Sequence, residues 1–262
     1  MLCANVYHSA LSVDRTREGL YPTETADEGF TVAQLRMGTQ PMIVIGNEYY
    51  LIAHNDRTGQ RQAHSQVVAL GLAASLLAEL MILGYVIVRE GGALYASGPD
   101  QYSPPECSLQ REVLAALQSR PAEHDLGLWL DLLAAEAVVD VAKRLERAGM
   151  LVMVKRRGVL GGRETYQPRD TNTAFWASIR LANSLKERSA LTLQDAVLAM
   201  LVQVTGLMPR VLWDKESNHA AGSATVNALM MADPTLPVPE TFRVLAQRTE
   251  AAAGSVVLTR RG

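Results

Sequence analysis

Two cysteines in 262 residues, Cys3 and Cys107, provide neither a disulfide framework nor metal-type spacing, and they fit a reducing, cytoplasmic setting. Aromatic residues make up only 5% of the chain. With alanine and leucine abundant, that scarcity argues against a sheet-rich fold and for helix. Charge of one sign is also lacking. A net charge of -2 gives no global attraction to nucleic acid or to an anionic membrane, so any such attraction has to come from local patches. Lysine is scarce, with 4 against 21 arginines, a bias that reads as a GC-rich bacterial genome. Residues 1–20 have no basic start followed by an apolar block, so no secretory signal is expected. Catalytic signatures are missing too. His8, His54, His64, His124 and His219 show no HExxH or other close spacing, and there is no GxSxG, phosphate-binding loop or glycine fingerprint after a strand. The expectation is a protein that is not an enzyme, with no cofactor and no metal.

What the chain does have is one long apolar run, Val67 to Val88, with a single charged residue, Glu79. A run of that length is either a membrane span or the central helix of a sizeable core. An acidic group near mid-bilayer costs a few kcal/mol (about 3). Gly71 and Gly84 bracket the run, and the β-branched residues after Gly84 read as a strand. A buried helix, apolar all round, is therefore expected from about Ser65 to Leu83, with Gly84 as its C-terminal cap. A carboxylate at that depth needs a partner, so Glu79 is expected in a cap or an ion pair.

Residues 1–40 lack any sustained period and read as a variable, poorly ordered extension. From Pro41, Met42–Ile45 and Tyr49–Ala53 read as a helix turn or as strands, leading into a turn at Asn55 to Gly59. After the central helix, Tyr85–Val88 and Ala93–Ala96 form a short hairpin. Helices follow over Leu109–Ser119, Leu126–Ala134 and Ala135–Ala148. Met150–Val154 and Glu164–Gln167 make a second hairpin around residues 155–163. Helices over Thr173–Arg188, Leu193–Thr205, Ser223–Ala232 and Glu240–Ala253 complete the chain, with a capping box at Thr192 and Asp195 and a tail over residues 254–262. Trp129, Trp176 and Trp213 lie among leucines at helical spacing and are expected in the core. The fold class is all-α, a single domain with a central buried helix in a helical bundle and one or two short β-hairpins.

Several segments together resemble the Golgi phosphoprotein 3 family. They are the apolar strip around Glu48, the Asp56-x-x-Gly59 turn, Gly71-Leu72 with Leu76-Leu77-x-Glu79-Leu80 and Gly84, Ala142 to Leu151, and Tyr166-x-Pro168-x-Asp170. The resemblance covers roughly residues 41–205 and continues more weakly to about 253. It implies an all-α bundle with a projecting β-hairpin, no enzymatic activity, and binding of phosphatidylinositol 4-phosphate at a membrane surface. It also implies a head-group pocket made of a tryptophan before the central helix, an arginine within it and two arginines on a later helix. Those positions fall at His64, Ala73, Ala135 and Val138, none of which is the implied residue.

The residues themselves offer a second route to a membrane. The 155–163 loop sets Val159 and Leu160 between Arg156, Arg157 and Arg163, an apolar tip with cationic flanks suited to an anionic lipid interface. Each such cation near the surface is worth about 1 kcal/mol, which gives transient binding and not a permanent anchor. The resemblance adds self-association through the same hairpin. Arg57, Arg61 and His64, before the central helix, form a second anionic-head-group patch. The expected function is a phosphoinositide- or anionic-lipid-binding peripheral membrane adaptor, cytoplasmic or at the inner face of a membrane. Two alternatives stand beside it. A helix ending Lys143-Arg144-Leu145-Glu146-Arg147, followed by a basic hairpin, reads as a winged-helix DNA-binding module, although the chain lacks a broad basic footprint. The other is a family member recruited to bacterial small-molecule metabolism, in which His54 and His64 share a pocket with Asp56.

Overall fold

The computed structural model describes residues 44–98, 103–156, 163–188, 191–213, 216–236 and 238–258. The expected extension over residues 1–40 and the hairpin tip with Arg157, Val159 and Leu160 lie outside the described residues. Among the described residues there are nine α-helices and two two-stranded antiparallel sheets. The fold is all-α with short hairpins.

The molecule is built around helix α2, Ser65–Ile82. Every residue from Val67 to Leu80 is buried, because leucine, alanine and valine occupy all faces and leave no polar side to turn toward water. By length and composition α2 is able to cross a bilayer, but 78% of it is buried inside the protein. Its end follows from sequence. Gly84 adopts φ +78°, its N–H donates to Met81 O (3.1 Å), and that of Tyr85 donates to Leu80 O (2.9 Å). This is the paired closure that a left-handed glycine permits after a helix.

Helix α1, Ile45–Ala53, precedes α2. It settles the choice between helix turn and strands: nearly every one of its residues is buried, and its packing against α2 decides the conformation. The approach is close because Gly71 lies under the Tyr49 ring, where an added Cβ would meet the hydroxyl at 1.9 Å. Strands β1 (Val86–Val88) and β2 (Leu94–Ala96) pair with Val86 opposite Ala96. Helix α3 is Ser108–Gln118.

Helix α4 runs unbroken from Leu126 to Arg147, where two helices were expected. Ala134, Ala135 and Glu136 are strong helix formers, and no glycine or proline stands between the halves to stop propagation. Asp125 caps its start by accepting from Leu128 N (2.9 Å), and Gly149 at φ +77° ends it. Strands β3 (Leu151–Arg156) and β4 (Arg163–Pro168) form the second hairpin, registered from Leu151 opposite Pro168 to Arg156 opposite Arg163. Helix α5, Thr171–Lys186, starts at Asp170, whose carboxylate accepts from Asn172 N and Thr173 N. Helix α6, Leu193–Val204, opens with the expected capping box. A short α7 (Met208–Val211), α8 (Glu216–Met230) and α9 (Glu240–Leu258) follow. Helices α1, α4 and α9 pack on α2, and α3 and α6 complete its sheath.

Only one of the three tryptophans meets expectation. Trp129 is buried, whereas Trp176 is 43% and Trp213 is 63% exposed. Trp176 shares the outer side of α5 with Phe175 and Ile179, both also exposed. The inner side of that helix is filled by Ala174, Ala177 and Leu181, so the large rings are left outside.

The Tyr49–Gly71 contact sets the spacing of α1 and α2, and overpacking at such a point costs about 1–3 kcal/mol. Gly71→Ala is expected to destabilise the protein by that amount, read as a lower midpoint in urea denaturation. An unchanged midpoint would mean the two helices are free to separate.

Candidate functional site

A buried ionic cluster, a half-buried one and an open cleft stand out among the described residues. The first cluster surrounds Glu79, which is 0% exposed. Its Oε1 accepts from Gly46 N (2.8 Å) and Arg144 Nη2 (2.9 Å). Its Oε2 accepts from Gln110 Nε2 (2.9 Å) and Arg144 Nη1 (2.9 Å). Arg144 Nε donates to Asn47 Oδ1 at 2.6 Å. Burial pushes the Arg144 guanidinium down, but the Glu79 carboxylate and its hydrogen bonds more than reverse that, so the net shift is upward. Glycine is required at position 46, since a Cβ there would lie 2.8 Å from Arg144 Nη2. With both carboxylate oxygens doubly bonded, no lone pair is left for a substrate. The cluster is structural, and it gives Glu79 the ion pair its burial demanded.

The same pair weakens the DNA-binding alternative. Arg144, one of three cations counted toward a recognition helix, is 3% exposed and committed to Glu79. On the outer face of α4, Asp131 and Glu136 are exposed beside Leu132 and Val139, an acidic and apolar surface ill-suited to phosphates.

The second cluster was not visible in the sequence. Arg180 from α5 donates through Nε and Nη2 to Glu48 (3.1 and 2.5 Å) and through Nη1 to Asp195, which also closes the capping box of α6. Burial raises the Glu48 carboxyl above its usual range, and Arg180 only partly offsets it. The cluster pins α1 to α5 and α6.

The cleft, about 600 Å³, opens where α1 ends and α2 begins. Tyr50 of α1 and His54 just after it line the cleft, with Thr58 to Arg61 of the turn, Ser65 at the start of α2, Val138 and Val139 of α4, and Thr165 and Tyr166 of β4. The turn fits because Asn55 Oδ1 accepts from Arg57 N and Thr58 N and Gly59 sits at φ +66°. A Cβ on Gly59 would lie 1.9 Å from the Tyr166 carbonyl oxygen, so the glycine lets the turn rest on the hairpin. His54 stacks on Tyr50 with ring centroids 3.9 Å apart, and its Nδ1 donates to the Tyr50 carbonyl at 2.8 Å. Burial holds the His54 imidazole down at about 4, with the Arg61 charge adding to this and the Tyr50 carbonyl opposing it.

The structure separates the residues of the expected second patch. Arg61 lines the cleft. Arg57 is exposed on the turn beside it. His64 is half-buried and caps α2, accepting from Gln66 N through Nδ1 at 3.4 Å. The expected His54–His64–Asp56 grouping does not form, since His54 lines the cleft without either partner. Arg156 and Arg163 end the paired strands, and their side chains lie outside what the structure describes. Val138, where the resemblance implied an arginine, lines the cleft, while Ala73 is buried in α2. His54 was expected in a pocket, but with other partners; Tyr50 was not expected there. Their i, i+4 spacing at the end of a helix was the available signal.

An all-α protein whose apolar axial helix is sheathed by helices, with a β-hairpin flanking a cleft at that helix's start, defines the class. The family model described as Golgi phosphoprotein 3 (GPP34) matches residues 45–244, and the chain belongs to that family. No curated protein matches it.

Removing one member of a buried ion pair strands the other, at about 3–5 kcal/mol. Arg144→Met is therefore expected to cost that much by chemical denaturation, and the Glu79→Leu/Arg144→Met double variant is expected to recover a large part of it. A double variant no better than the single would show that the hydrogen bonds, not the stranded charge, carry the loss.

His54 makes stability depend on pH. Its folded value of about 4 lies below the unfolded value of 6.5, so the unfolded chain takes up the proton first. Stability is complete above pH 6.5 and is lost as pH falls toward 4, by about 3 kcal/mol in all. Across pH 7 to 4 the wild-type stability from denaturation curves should fall by that amount, whereas His54→Phe should lack this fall. Parallel curves would place that pH dependence elsewhere.

Proposed function

We propose that this chain is a non-enzymatic peripheral membrane adaptor that engages anionic phospholipid head groups at a cytoplasmic membrane face. The observation that carries the reading is the sharing of one cleft by Arg61, the start of the central helix and strand β4 of the basic hairpin. A cation and the N-terminal end of a helix both favour an anion. Family membership supports a lipid partner. On this reading the contact surface comprises Arg57, Arg61 and His64 together with the hairpin residues Arg156, Arg157, Val159, Leu160 and Arg163, and the hairpin also serves self-association. A phosphomonoester head group calls for several converging cations. The valine at position 138 and the alanines at 73 and 135 point to charge-driven binding in place of the family's specific phosphatidylinositol 4-phosphate pocket.

Sedimentation with neutral, anionic and phosphoinositide-containing vesicles tests this. Wild type is expected to pellet with both kinds of anionic vesicle and to be released by salt, as surface electrostatics are screened. Arg57→Glu/Arg61→Glu and Val159→Asp/Leu160→Asp should each move most of the protein to the supernatant. Wild type that stays in the supernatant with every vesicle would remove the membrane reading.

A further inference from the structure

Helix α5 carries an outward stripe that the proposed membrane contact does not use. Phe175, Trp176, Ile179, Asn183 and Lys186 are all exposed. At 3.6 residues per turn they lie within about 60° of Ile179 around the helix axis. Trp213, just past α7, joins Ile179, Ala182, Asn183 and Lys186 in lining a pocket of about 90 Å³. That is well below the roughly 300–1,000 Å³ of small-molecule sites, so the pocket is too small for a cofactor-sized ligand. Phe175, Trp176, Ile179 and Trp213 are 38–63% exposed. Together they present roughly 400 Å² of apolar surface, taking about 200 Å² for a whole aromatic side chain. A patch of that size marks an interaction site.

The order of residues along the stripe says what fits it. On the N-terminal side of Ile179 stand the two rings, Phe175 and Trp176. On its C-terminal side stand the smaller Ala182 and Asn183, at the pocket. Charge is graded the same way, with the exposed Asp170 capping the start of α5 and the exposed Lys186 in its last turn. A two-fold axis at Ile179 lays a second α5 antiparallel on the first. Each copy then sets its rings over Ala182, Asn183 and the pocket of the other. Lys186 of each copy comes opposite Asn172 of the other, two residues from the Asp170 carboxylate. A parallel pairing would set ring on ring and Lys186 on Lys186. Shape and charge therefore match when the stripe meets itself reversed, which is what an isologous contact requires. The apolar side chains supply half of the roughly 800 Å² that each partner gives to an interface of ordinary size. A core of aromatic rings with its charges at the edge is the usual interface composition.

We propose that the chain forms a two-fold symmetric dimer through the outer stripe of α5 and Trp213, with the two α5 helices antiparallel and crossing at Ile179. The inference stands apart from the membrane reading and from self-association through the 155–163 hairpin, because it uses none of their residues. On the membrane reading the dimer doubles the contact surface, and two weak attachments on one particle hold more tightly than either alone.

Sedimentation velocity of the full chain from about 1 to 100 μM, the weak end of the range for such an interface, should show a monomer–dimer equilibrium. Ile179→Asp sets like charges face to face on the axis and is expected to raise the dimer Kd at least about tenfold. Its circular dichroism and melting temperature should stay unchanged, because the side chain is exposed. Trp213→Ser is a second variant, at the rim of the pocket, with the same expected loss. Val159→Asp/Leu160→Asp should dimerise as wild type does. Orientation is read by cross-linking with a short bismaleimide in a Cys3→Ser background, where the remaining Cys107 is buried. Ile179→Cys should link to itself, and Asn172→Cys should link to Lys186→Cys in a mixture. Lys186→Cys should not link to itself, since its two copies stand about 20 Å apart along the paired helices. A wild type that stays monomeric throughout means that something other than a second copy covers the stripe, and it overturns the proposal. So does Ile179→Asp pairing as tightly as wild type, which gives the dimer to another face such as the hairpin. Lys186→Cys linking to itself makes the pairing parallel and overturns the two-fold arrangement. Loss of vesicle binding alone leaves the dimer standing.

Discussion

Taking the Glu79 carboxylate out of water is tolerable only if a full set of donors meets it, and that requirement organises the surrounding helices. The idealised penalty for burying one ion is several kcal/mol even after relaxation. Attraction to Arg144 offsets it only because Gly46 N and Gln110 Nε2 complete the carboxylate and Asn47 accepts from the guanidinium Nε–H. These residues belong to α1, α2, α3 and α4. A side chain at position 46 would collide with the guanidinium. The pair is a constraint on geometry first and a source of stability second.

The network also shapes the cleft. Helix α1 is held near its start by the Glu79–Arg144 cluster and, one residue further on, by Glu48 and Arg180. Its far end carries Tyr50 and His54, so the wall they form is fixed by two ionic anchors on the same short helix. Gly59 seats the turn on Tyr166 and fixes the opposite wall. A site whose walls are fixed beforehand loses less conformational entropy when it is occupied.

Features governed by local chemistry were readable from the sequence. The central helix, its glycine stop, both hairpins, the Asp170 and Thr192 caps and the need for a Glu79 partner follow from apolar patterning, left-handed glycines and short polar side chains. Features set by distant packing were not. Nothing local says that Arg144, between a lysine and a leucine at a basic helix end, turns inward. Nothing local puts Ile45–Ala53 in a helix or leaves Trp176 and Trp213 outside, because those outcomes depend on which neighbour covers which face. The site divides in the same way. Arg61 and the hairpin were legible as basic segments, but their meeting with His54 in one cleft depends on the turn folding back onto β4.

The sequence separations inside the Glu79 cluster bear on folding kinetics. Its bonds link residues 33, 31, 65 and 97 positions apart, so it closes only after long loops have been ordered, and loop-closure entropy opposes its early formation. Contacts completed after the rate-limiting barrier act on the unfolding rate and leave the folding rate nearly untouched. A cluster that closes late acts as a latch, which prolongs the lifetime of the native state once the helices have met.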